Sequence, residues 1–409
     1  MEKRARNNRE MISLEEAVTR LTSEVKMMSG QVMVPLSEAL GRCAAQDLCA
    51  LVSQPPFPRS PLDGYAVRAE DTSGACEENP VWLNVIDKIY AGEESSRKVG
   101  QMETVRLMTG SPIPEGADTV IRQEDVIDAG EKIGITGQAK AYENYCRTGE
   151  DFKEGECLIR TGERMDAIRI GIAASMGYEK IPVKRIPKAA VLATGNEIQK
   201  PGSPLLPGKI YDTNLYTVSQ RLRELGVNPV MVQQVPDEKR ALLQAVAEAA
   251  EKAEIVITTG GVSVGEKDLM PEVMEELGAK ILFHGVRVKP GSPVLSAIYR
   301  EVPVICLSGN PFGALVHLEL VVRPVLAEMT GDTGFLLPGK RGEMLCSFQK
   351  KSPGRRMVRA VYEDGYVTLP EGLHASGVLS SMIGCNCLID IEAGNQGLEK
   401  GDIVCVKML

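Results

Sequence analysis

The first apolar pattern along the chain has the period of a helix. Its members are Leu14, Val18, Leu21, Val25 and Met28. Ser13, with Glu16 three residues later, forms a capping box just before this pattern, and such a pair satisfies backbone N–H groups at a helix start. We therefore predict a helix that begins after Ser13, and a second, shorter helix from Ser37 to about Asp47.

The pattern changes to short apolar runs between Leu51 and about Arg147. Glycine, proline, asparagine and aspartate separate the runs Val81–Ile89, Thr104–Met108, Thr119–Ile121 and Ile133–Ile135. Runs of this length that are bounded by turn residues predict an all-β module. From Asp166 to Met176 the spacing becomes helical again, and Gly177 is placed to end that helix.

From Lys188 to about Thr330, predicted strands alternate with predicted helices. The strands are Ala189–Ala193, Val230–Val235, Ile255–Thr258, Ile281–Phe283 and Val302–Leu307, and the helices cover residues 215–225, 238–252, 270–277 and 313–329. This order predicts a parallel sheet that is covered by helices on both faces. After Pro338, short runs predict a small β domain at Val358–Tyr362, Tyr366–Leu369, Cys387–Ile391 and Ile403–Val406.

Composition narrows the class of protein. The 409 residues are enough for roughly two to four domains, and 43% hydrophobic with 25% charged residues is typical of a globular chain with a large core. The 47 basic and 55 acidic residues include no long basic tract, which argues against nucleic acid as the main partner. We expect no membrane association and a cytoplasmic location, because neither a secretory h-region nor an apolar run of roughly 20 residues is present.

The ten cysteines do not show the pairing that a zinc site requires. Zinc sites use regularly spaced Cys or His residues, and only three histidines are available. We expect no structural zinc, and we expect most of the thiols to be small buried apolar groups.

Three glycine-containing loops directly follow three of the predicted parallel strands. They cover residues 194–197, 259–268 and 308–311. In an open α/β sheet, ligands bind at the carboxyl ends of the strands, and glycine lets backbone N–H groups approach phosphate oxygens. None of the loops matches the P-loop or the GxGxxG motif. One such loop alone would be interpreted as a tight turn, but three at one edge favour an anion-binding site.

Charged side chains accompany these loops. Glu197 and Asp268 lie in two of them, and carboxylates beside a phosphoanhydride imply a bridging Mg²⁺. The alternative is a role at a helix N-terminus, which suits acidic residues equally. Lys289, in the segment Lys-Pro-Gly-Ser-Pro, can neutralise an oxyanion, although an isolated lysine is more often solvated.

Seven segments in this order resemble motifs of the molybdopterin molybdenumtransferase family, which includes the C-terminal part of gephyrin. They are residues 60–66, 108–118, 147–151, 193–198, 260–268, 289–293 and 308–311. The resemblance extends over nearly the whole chain. It implies a multi-domain α/β protein that forms an elongated homodimer.

Four domains are implied by the resemblance. They are an α-rich linker domain from residues 1–50 and 147–181, an inserted β module at 51–146, a molybdopterin-binding α/β domain with a parallel sheet at 182–335, and a C-terminal β-barrel at 336–409. In such enzymes the active site lies between the α/β domain of one subunit and the β module of the other.

The reaction implied by the resemblance is Mg²⁺-dependent insertion of molybdate into adenylylated molybdopterin with release of AMP. The functional acids would be Asp63, Asp151, Glu197, Asp237 and Asp268, and Glu197 and Asp268 would hold Mg²⁺. The cofactor-binding residues would be Thr109, Gly260, Gly261, Ser263, Lys289, Ser308, Gly309, Asn310, Pro311, Arg355 and Ser376. A molybdopterin adenylyltransferase and apo-molybdoenzymes are the implied protein partners.

The sequence departs from the family pattern at three positions. The family usually has aspartate where this chain has Asn196, lysine where it has Ser292, and proline where it has Ser308. Three alternatives stay open: a non-catalytic pterin-binding or scaffold homologue, an adenylyltransferase that shares the α/β domain, and insertion of tungsten by the same chemistry. The acids Asp63, Glu197 and Asp268 argue against the first alternative. The β module and the 147–151 motif argue against the second.

Overall fold

The computed structural model of the protein describes residues 11–262, 268–372 and 374–409. The chain divides into two compact units. The first contains the residues up to Val32 and those from Lys184 onward, and the second is residues 33–183.

The described residues contain seven α-helices. They are α1 (Leu14–Thr22), α2 (Ala167–Ser175), α3 (Asn214–Glu224), α4 (Lys239–Lys252), α5 (Met270–Glu276), α6 (Pro311–His317) and α7 (Arg323–Thr330). A π-helical turn, Leu318–Val322, joins α6 to α7. Short 3₁₀ helices occur at Leu36–Glu38, Ala69–Thr72, Gln123–Asp125, Thr333–Phe335 and Ser380–Met382.

The same residues contain 24 strands. In the second unit and at its ends these are β1 (Gln31–Pro35), β2 (Leu48–Cys49), β3 (Gly64–Val67), β4 (Val81–Ile89), β5 (Glu103–Leu107), β6 (Thr119–Arg122), β7 (Val126–Asp128), β8 (Lys132–Ile135), β9 (Cys157–Ile159) and β10 (Lys180–Lys184). Further along are β11 (Ala189–Thr194), β12 (Ile198–Gln199), β13 (Ile210–Tyr211), β14 (Pro229–Val235), β15 (Ile255–Thr259), β16 (Lys280–His284), β17 (Val288–Lys289), β18 (Leu295–Tyr299), β19 (Val302–Leu307), β20 (Gly339–Met344), β21 (Arg355–Glu363), β22 (Tyr366–Thr368), β23 (Cys387–Ile391) and β24 (Ile403–Met408).

A six-stranded sheet organises the first unit, in the order β14-β11-β15-β19-β18-β16. The first four strands are parallel, as predicted, and β18 runs antiparallel to both of its neighbours. Alternate residues of β11 enter two different cores: Ala189 and Val191 pack with α1, α3, α6 and α7, while Ala190 and Leu192 pack with α4 and α5. Burial on both faces explains why β11 is apolar throughout.

The N-terminal predictions are partly corrected. Helix α1 begins after Ser13, whose hydroxyl accepts the Glu16 N–H at 3.1 Å, as the capping box predicted. Its apolar face packs in the core of the six-stranded sheet. The predicted helix from Ser37 to Asp47 is wrong, because the Ala44 and Ala45 amides bond to carbonyls distant in sequence, Glu163 and Pro182.

The second unit contains the predicted all-β module as a six-stranded sheet in the order β6-β3-β5-β4-β8-β7. Separate aliphatic clusters cover its two faces. A third cluster combines α2 with β2, β9 and β10. A disulfide joins Cys49 to Cys157, and of the other eight cysteines only three are buried, so the expectation of mostly buried thiols is wrong.

The C-terminal residues of the first unit form a closed five-stranded barrel. Its order is β21-β22-β20-β24-β23, and β23 pairs back onto β21 to close it. Aliphatic residues fill its interior. The predicted fold class, an α/β domain with an inserted β module, a linker region and a C-terminal β-barrel, is therefore present. Within the described parts of the chain, no helix combines the length and apolarity needed to cross a membrane.

Candidate functional site

The three glycine-containing loops meet at one edge of the sheet, because β11, β15 and β19 are adjacent and parallel. The Gly260 amide bonds to the Leu307 carbonyl oxygen at 3.1 Å, which connects the last two loops. Gly260 has a φ of +91°, and a Cβ there would overlap the Thr194 carbonyl oxygen. Only glycine fits this conformation and this approach, so the loops are held close together.

Three of the predicted acids lie on loops at this edge. The Thr194 hydroxyl donates to Asp237 Oδ1 at 3.2 Å. Glu197 is exposed, and its carboxylate lies over Gly195, where a Cβ would come within 2.6 Å of it. Asp268 is half-buried on the loop that leads into α5. Ser263 lies outside the described residues. Gly261 lies on the same loop as Asp268, and the third loop contains Ser308, Gly309, Asn310 and Pro311.

Two residues that the sequence analysis missed support this edge. The Asn214 amide donates to the Gly309 carbonyl oxygen at 2.8 Å. Asp212 is buried and accepts from the Leu215 N–H at 3.0 Å, and burial raises the pKa of its carboxyl. An acid two residues before a helix is a recognisable capping signal, so the sequence contained a sign of this role.

A second site lies between the Lys289–Pro293 loop and the barrel. It is a pocket of about 390 Å³, which we call the cationic pocket. Its walls are Lys289, Pro290, Gly291, Ser292, Pro293, Phe312, Phe348, Lys350, Arg356, Met357, Val358, Arg359, His374, Ala375 and Ser376. Four of these carry a positive charge, and none of them is Asp or Glu, so the pocket is suited to an anion.

Strand pairing sets which arginine enters the cationic pocket. β17 pairs with β21 in parallel, with Val288 opposite Arg355 and Lys289 opposite Arg356. Since successive side chains of a strand point to opposite faces, Arg355 and Arg356 face different ways. Arg355 bonds to both oxygens of Asp390 at 2.6 and 2.7 Å and also to Glu15. Arg356 is therefore a wall of this pocket and Arg355 is not; the cofactor-binding role of Arg355 remains a prediction.

The Lys289–Pro293 loop rests closely on α6. Gly291 has a φ of +94°, and a Cβ there would come within 2.6 Å of His317 Nδ1 and 2.8 Å of the Gly313 carbonyl oxygen. His317 is fully buried, and burial lowers its pKa to about 4. It is therefore neutral at ordinary pH and supports the loop without adding charge to the pocket.

Ser376 lines the pocket from a loop that is hydrogen-bonded to α6. The Phe312 amide bonds to the Ser376 carbonyl oxygen at 3.1 Å. Arg359, which is fully buried, donates to the Ala375 and Val378 carbonyl oxygens and to Ser381 Oγ. Its guanidinium lies 3.7 Å from the centre of the Phe312 ring. Arg359 therefore connects the barrel, the Ser376 loop and α6.

In the second unit, Asp63 and Thr109 are brought together. Asp63 Oδ1 accepts from the Thr109 backbone N–H at 2.8 Å and from its hydroxyl at 2.7 Å. These hydrogen bonds lower the pKa of the Asp63 carboxyl, the backbone bond most strongly. Asp151 is exposed, and no hydrogen bond joins its described side chain to this pair. Asp63 is thus held as an accessible carboxylate.

Glu197 and Asp268 were predicted to be ligands for Mg²⁺, and their donor atoms can be compared with what that ion requires. Within residues 11–262, 268–372 and 374–409, no three His, Cys, Asp or Glu side chains converge as a metal-binding group. Mg²⁺ commonly needs only one or two carboxylates when phosphate oxygens complete its coordination. Glu197 and Asp268 supply the right donor chemistry for such a shared ion.

Three family models match consecutive parts of the chain. They are the MoeA N-terminal region (domain I and II) over residues 12–177, the probable molybdopterin binding domain over 190–328, and the MoeA C-terminal region (domain IV) over 341–409. The molybdopterin molybdenumtransferase of Bacillus subtilis is 36% identical, with 97% of this chain and 94% of that protein covered. The Staphylococcus epidermidis protein of the same name is 33% identical over 97% of this chain and 95% of its own.

A solved structure has the same fold. The molybdopterin biosynthesis moea protein from Pyrococcus horikosii superposes with a TM-score of 0.84 at 32% identity, and the match covers 98% of this chain and 99% of that one. The similarity therefore includes both units and the barrel.

Proposed function

The chain belongs to the molybdopterin molybdenumtransferase family, and from that premise we propose that it inserts molybdate into adenylylated molybdopterin and releases AMP. It is a molybdenum-transferring enzyme of molybdenum cofactor biosynthesis. The finer steps of the proposal concern the anion, the nucleotide and the subunits. Each rests on a different group of residues.

The cationic pocket is the observation that carries the proposal. Lys289 and Arg356 are opposite each other in neighbouring strands, and like charges in such positions repel each other unless an anion lies between them. Ser376 adds a hydroxyl group to the same walls. Molybdate is a tetrahedral dianion, so charged donors and hydroxyl groups without a competing carboxylate are suitable partners for it.

The edge of the six-stranded sheet is the proposed site for the anhydride of the substrate. The Gly260 and Gly309 loops would present backbone N–H groups to its phosphate oxygens. Glu197 and Asp268 would hold a Mg²⁺ ion jointly with those oxygens, and that ion would offset charge on the AMP leaving group. Asp237, held by Thr194, would orient the neighbouring groups.

We further propose a cytoplasmic homodimer in which Asp63 and Thr109 of one subunit act with Glu197 and Asp268 of the other. A pre-formed carboxylate with a lowered pKa remains charged at ordinary pH. Asp63 would therefore act toward the substrate as a fixed negative charge. Asp151 remains a proposed member of the site by resemblance to its motif. An adenylyltransferase would supply the substrate, and apo-molybdoenzymes would receive the product.

The proposal is tested by incubating the full-length protein with adenylylated molybdopterin and Mg²⁺, with and without molybdate, and measuring AMP. We expect AMP release that requires molybdate, and a product that activates an apo-molybdoenzyme. Tungstate has the same shape and charge and should also promote AMP release. Tight pterin binding without AMP under either condition would instead indicate a non-catalytic homologue.

A further inference from the structure

The four cations of the cationic pocket are not equivalent. Arg359 is fully buried and uses its guanidinium to hold the Ala375, Val378 and Ser381 groups. Lys289, Lys350 and Arg356 remain, and none of these three forms an ion pair with a described carboxylate. These three, together with the buried Arg359 Nε–H, which has no hydrogen-bond partner among the described residues, are the cationic groups available to an anion in the pocket.

The loop side of the pocket provides only one charge. Lys289 is exposed there, while the neighbouring Ser292 hydroxyl donates to the Val288 carbonyl oxygen at 2.8 Å. Ser292 is thus a neutral group whose single proton is already used. A divalent anion bound by the loop alone would keep one negative charge without a partner.

The barrel side provides the other charges. Arg356 Nε donates to Ser352 Oγ at 2.8 Å, which fixes the guanidinium against the turn that precedes β21. Lys350 lies on the same turn, two residues before Ser352, and lines the pocket with an exposed side chain. Its neighbour Lys351 is also exposed but does not line the pocket. The turn therefore presents one lysine to the pocket and one outside it.

We propose that Lys350 determines the preference of the cationic pocket for divalent over monovalent tetrahedral anions, by supplying from the barrel the charge that the loop does not supply at Ser292. This inference rests on the proposed function, because it assumes that molybdate binds in this pocket. Coulomb energy scales with the product of the two charges. Removal of one cation therefore costs a dianion twice the free energy that it costs a monoanion at the same place.

The test measures binding by isothermal titration calorimetry of the full-length protein with two probes at neutral pH. Molybdate is the dianion, and perrhenate is a monoanion of the same tetrahedral shape. In Lys350→Gln we expect molybdate affinity to fall about tenfold and perrhenate affinity about threefold, in keeping with the doubled charge. Lys351→Gln should leave both affinities unchanged. Adding Ser292→Lys to Lys350→Gln should restore the molybdate preference from the loop side.

The outcomes separate the two proposals. If Lys350→Gln reduces both affinities by the same factor, or reduces neither, Lys350 does not set the charge preference, while molybdate binding by the unmodified protein would leave the proposed function standing. An equal effect of Lys351→Gln would also overturn the inference, since that lysine lies outside the pocket. Failure of the unmodified protein to bind either anion would remove the pocket from the proposed function and this inference with it.

Discussion

The pKa of the Asp63 carboxyl in the second unit depends mainly on one neighbouring residue, Thr109. The Asp63 carboxylate accepts two hydrogen bonds from Thr109, one from its backbone N–H and one from its hydroxyl. Hydrogen bonds to the charged form of an acid stabilise that form and lower the pKa. Because the Asp63 carboxylate is accessible to solvent, this effect changes its pKa more than it changes the stability of the protein.

We predict that Thr109→Val raises the pKa of Asp63 partway to its ordinary value, since the hydroxyl is lost and the backbone bond stays. The folded-state pKa of Asp63 is lowered, so its stabilisation is present above the ordinary pKa and is lost as the pH falls through the lowered one. The variant should shift that loss to higher pH. Carbon-13 titration of labelled aspartate measures the shift directly.

The matched control is Thr148→Val. Thr148 is an exposed threonine of the same unit whose hydroxyl makes no hydrogen bond to Asp63. Its replacement should leave the Asp63 titration in place. An unchanged Asp63 pKa in Thr109→Val would mean that the hydroxyl does not contribute in solution.

At the scale of elements, the sequence predicts strands that are buried on both faces. It misses a strand when the turn beside it lacks the usual turn-forming residues. β11 and β15 are buried on both faces, so their apolar runs are evident. β18 was missed because its hairpin to β19 turns at Arg300 and Glu301, both with positive φ. Such turns usually contain glycine or asparagine, and neither residue type is present at this turn.

The candidate site likewise has one feature that the sequence predicts and one that it does not. The meeting of the three glycine-containing loops was predictable, because carboxyl ends of parallel strands share an edge. The pairing of Lys289 with Arg356 was not, since it joins strands from distant parts of the chain. A one-residue difference in that register selects between Arg355 and Arg356, which face opposite sides of β21. No local pattern distinguishes two consecutive arginines.

The connection between α6 and the barrel yields the next prediction. Arg359→Met removes a buried side chain that holds the Ala375 and Val378 carbonyl oxygens and stacks on Phe312. Leaving those oxygens unpaired should cost about 2–3 kcal/mol, which lowers the midpoint of thermal unfolding by a few degrees in a protein of this size. Molybdate affinity should fall as well, because the Ser376 loop loses its support. Scanning calorimetry and anion titration provide the two measurements.

Arg341→Met is the control for that change. Arg341 is an exposed arginine on β20 of the same barrel, outside the cationic pocket. It should alter neither the unfolding midpoint nor the anion affinity. A stable Arg359→Met protein with unchanged molybdate binding would contradict a supporting role for Arg359.

For the whole molecule, the proposed reaction draws on groups from both units. Asp63 and Thr109 belong to residues 33–183, whereas Glu197, Asp268 and the cationic pocket belong to the other unit. In the proposed reaction, one substrate molecule would use both sets, either within one chain or across two copies. A cyclic dimer with shared sites would make two copies interdependent, because each site would be completed by the partner.

Subunit mixing distinguishes these arrangements. We predict that Asp63→Asn and Asp268→Asn each keep the fold and each reduce molybdate-dependent AMP release at least about tenfold. If the sites are shared, a mixed dimer has one site with both changes and one site with neither. After unfolding and joint refolding of equal amounts, about a quarter of the unmodified activity should then return. The two variants refolded separately and combined afterwards are the control, and they should stay inactive as long as subunits do not exchange. If each chain builds its own site, every site in the mixture carries one substitution, and no activity returns despite dimer formation.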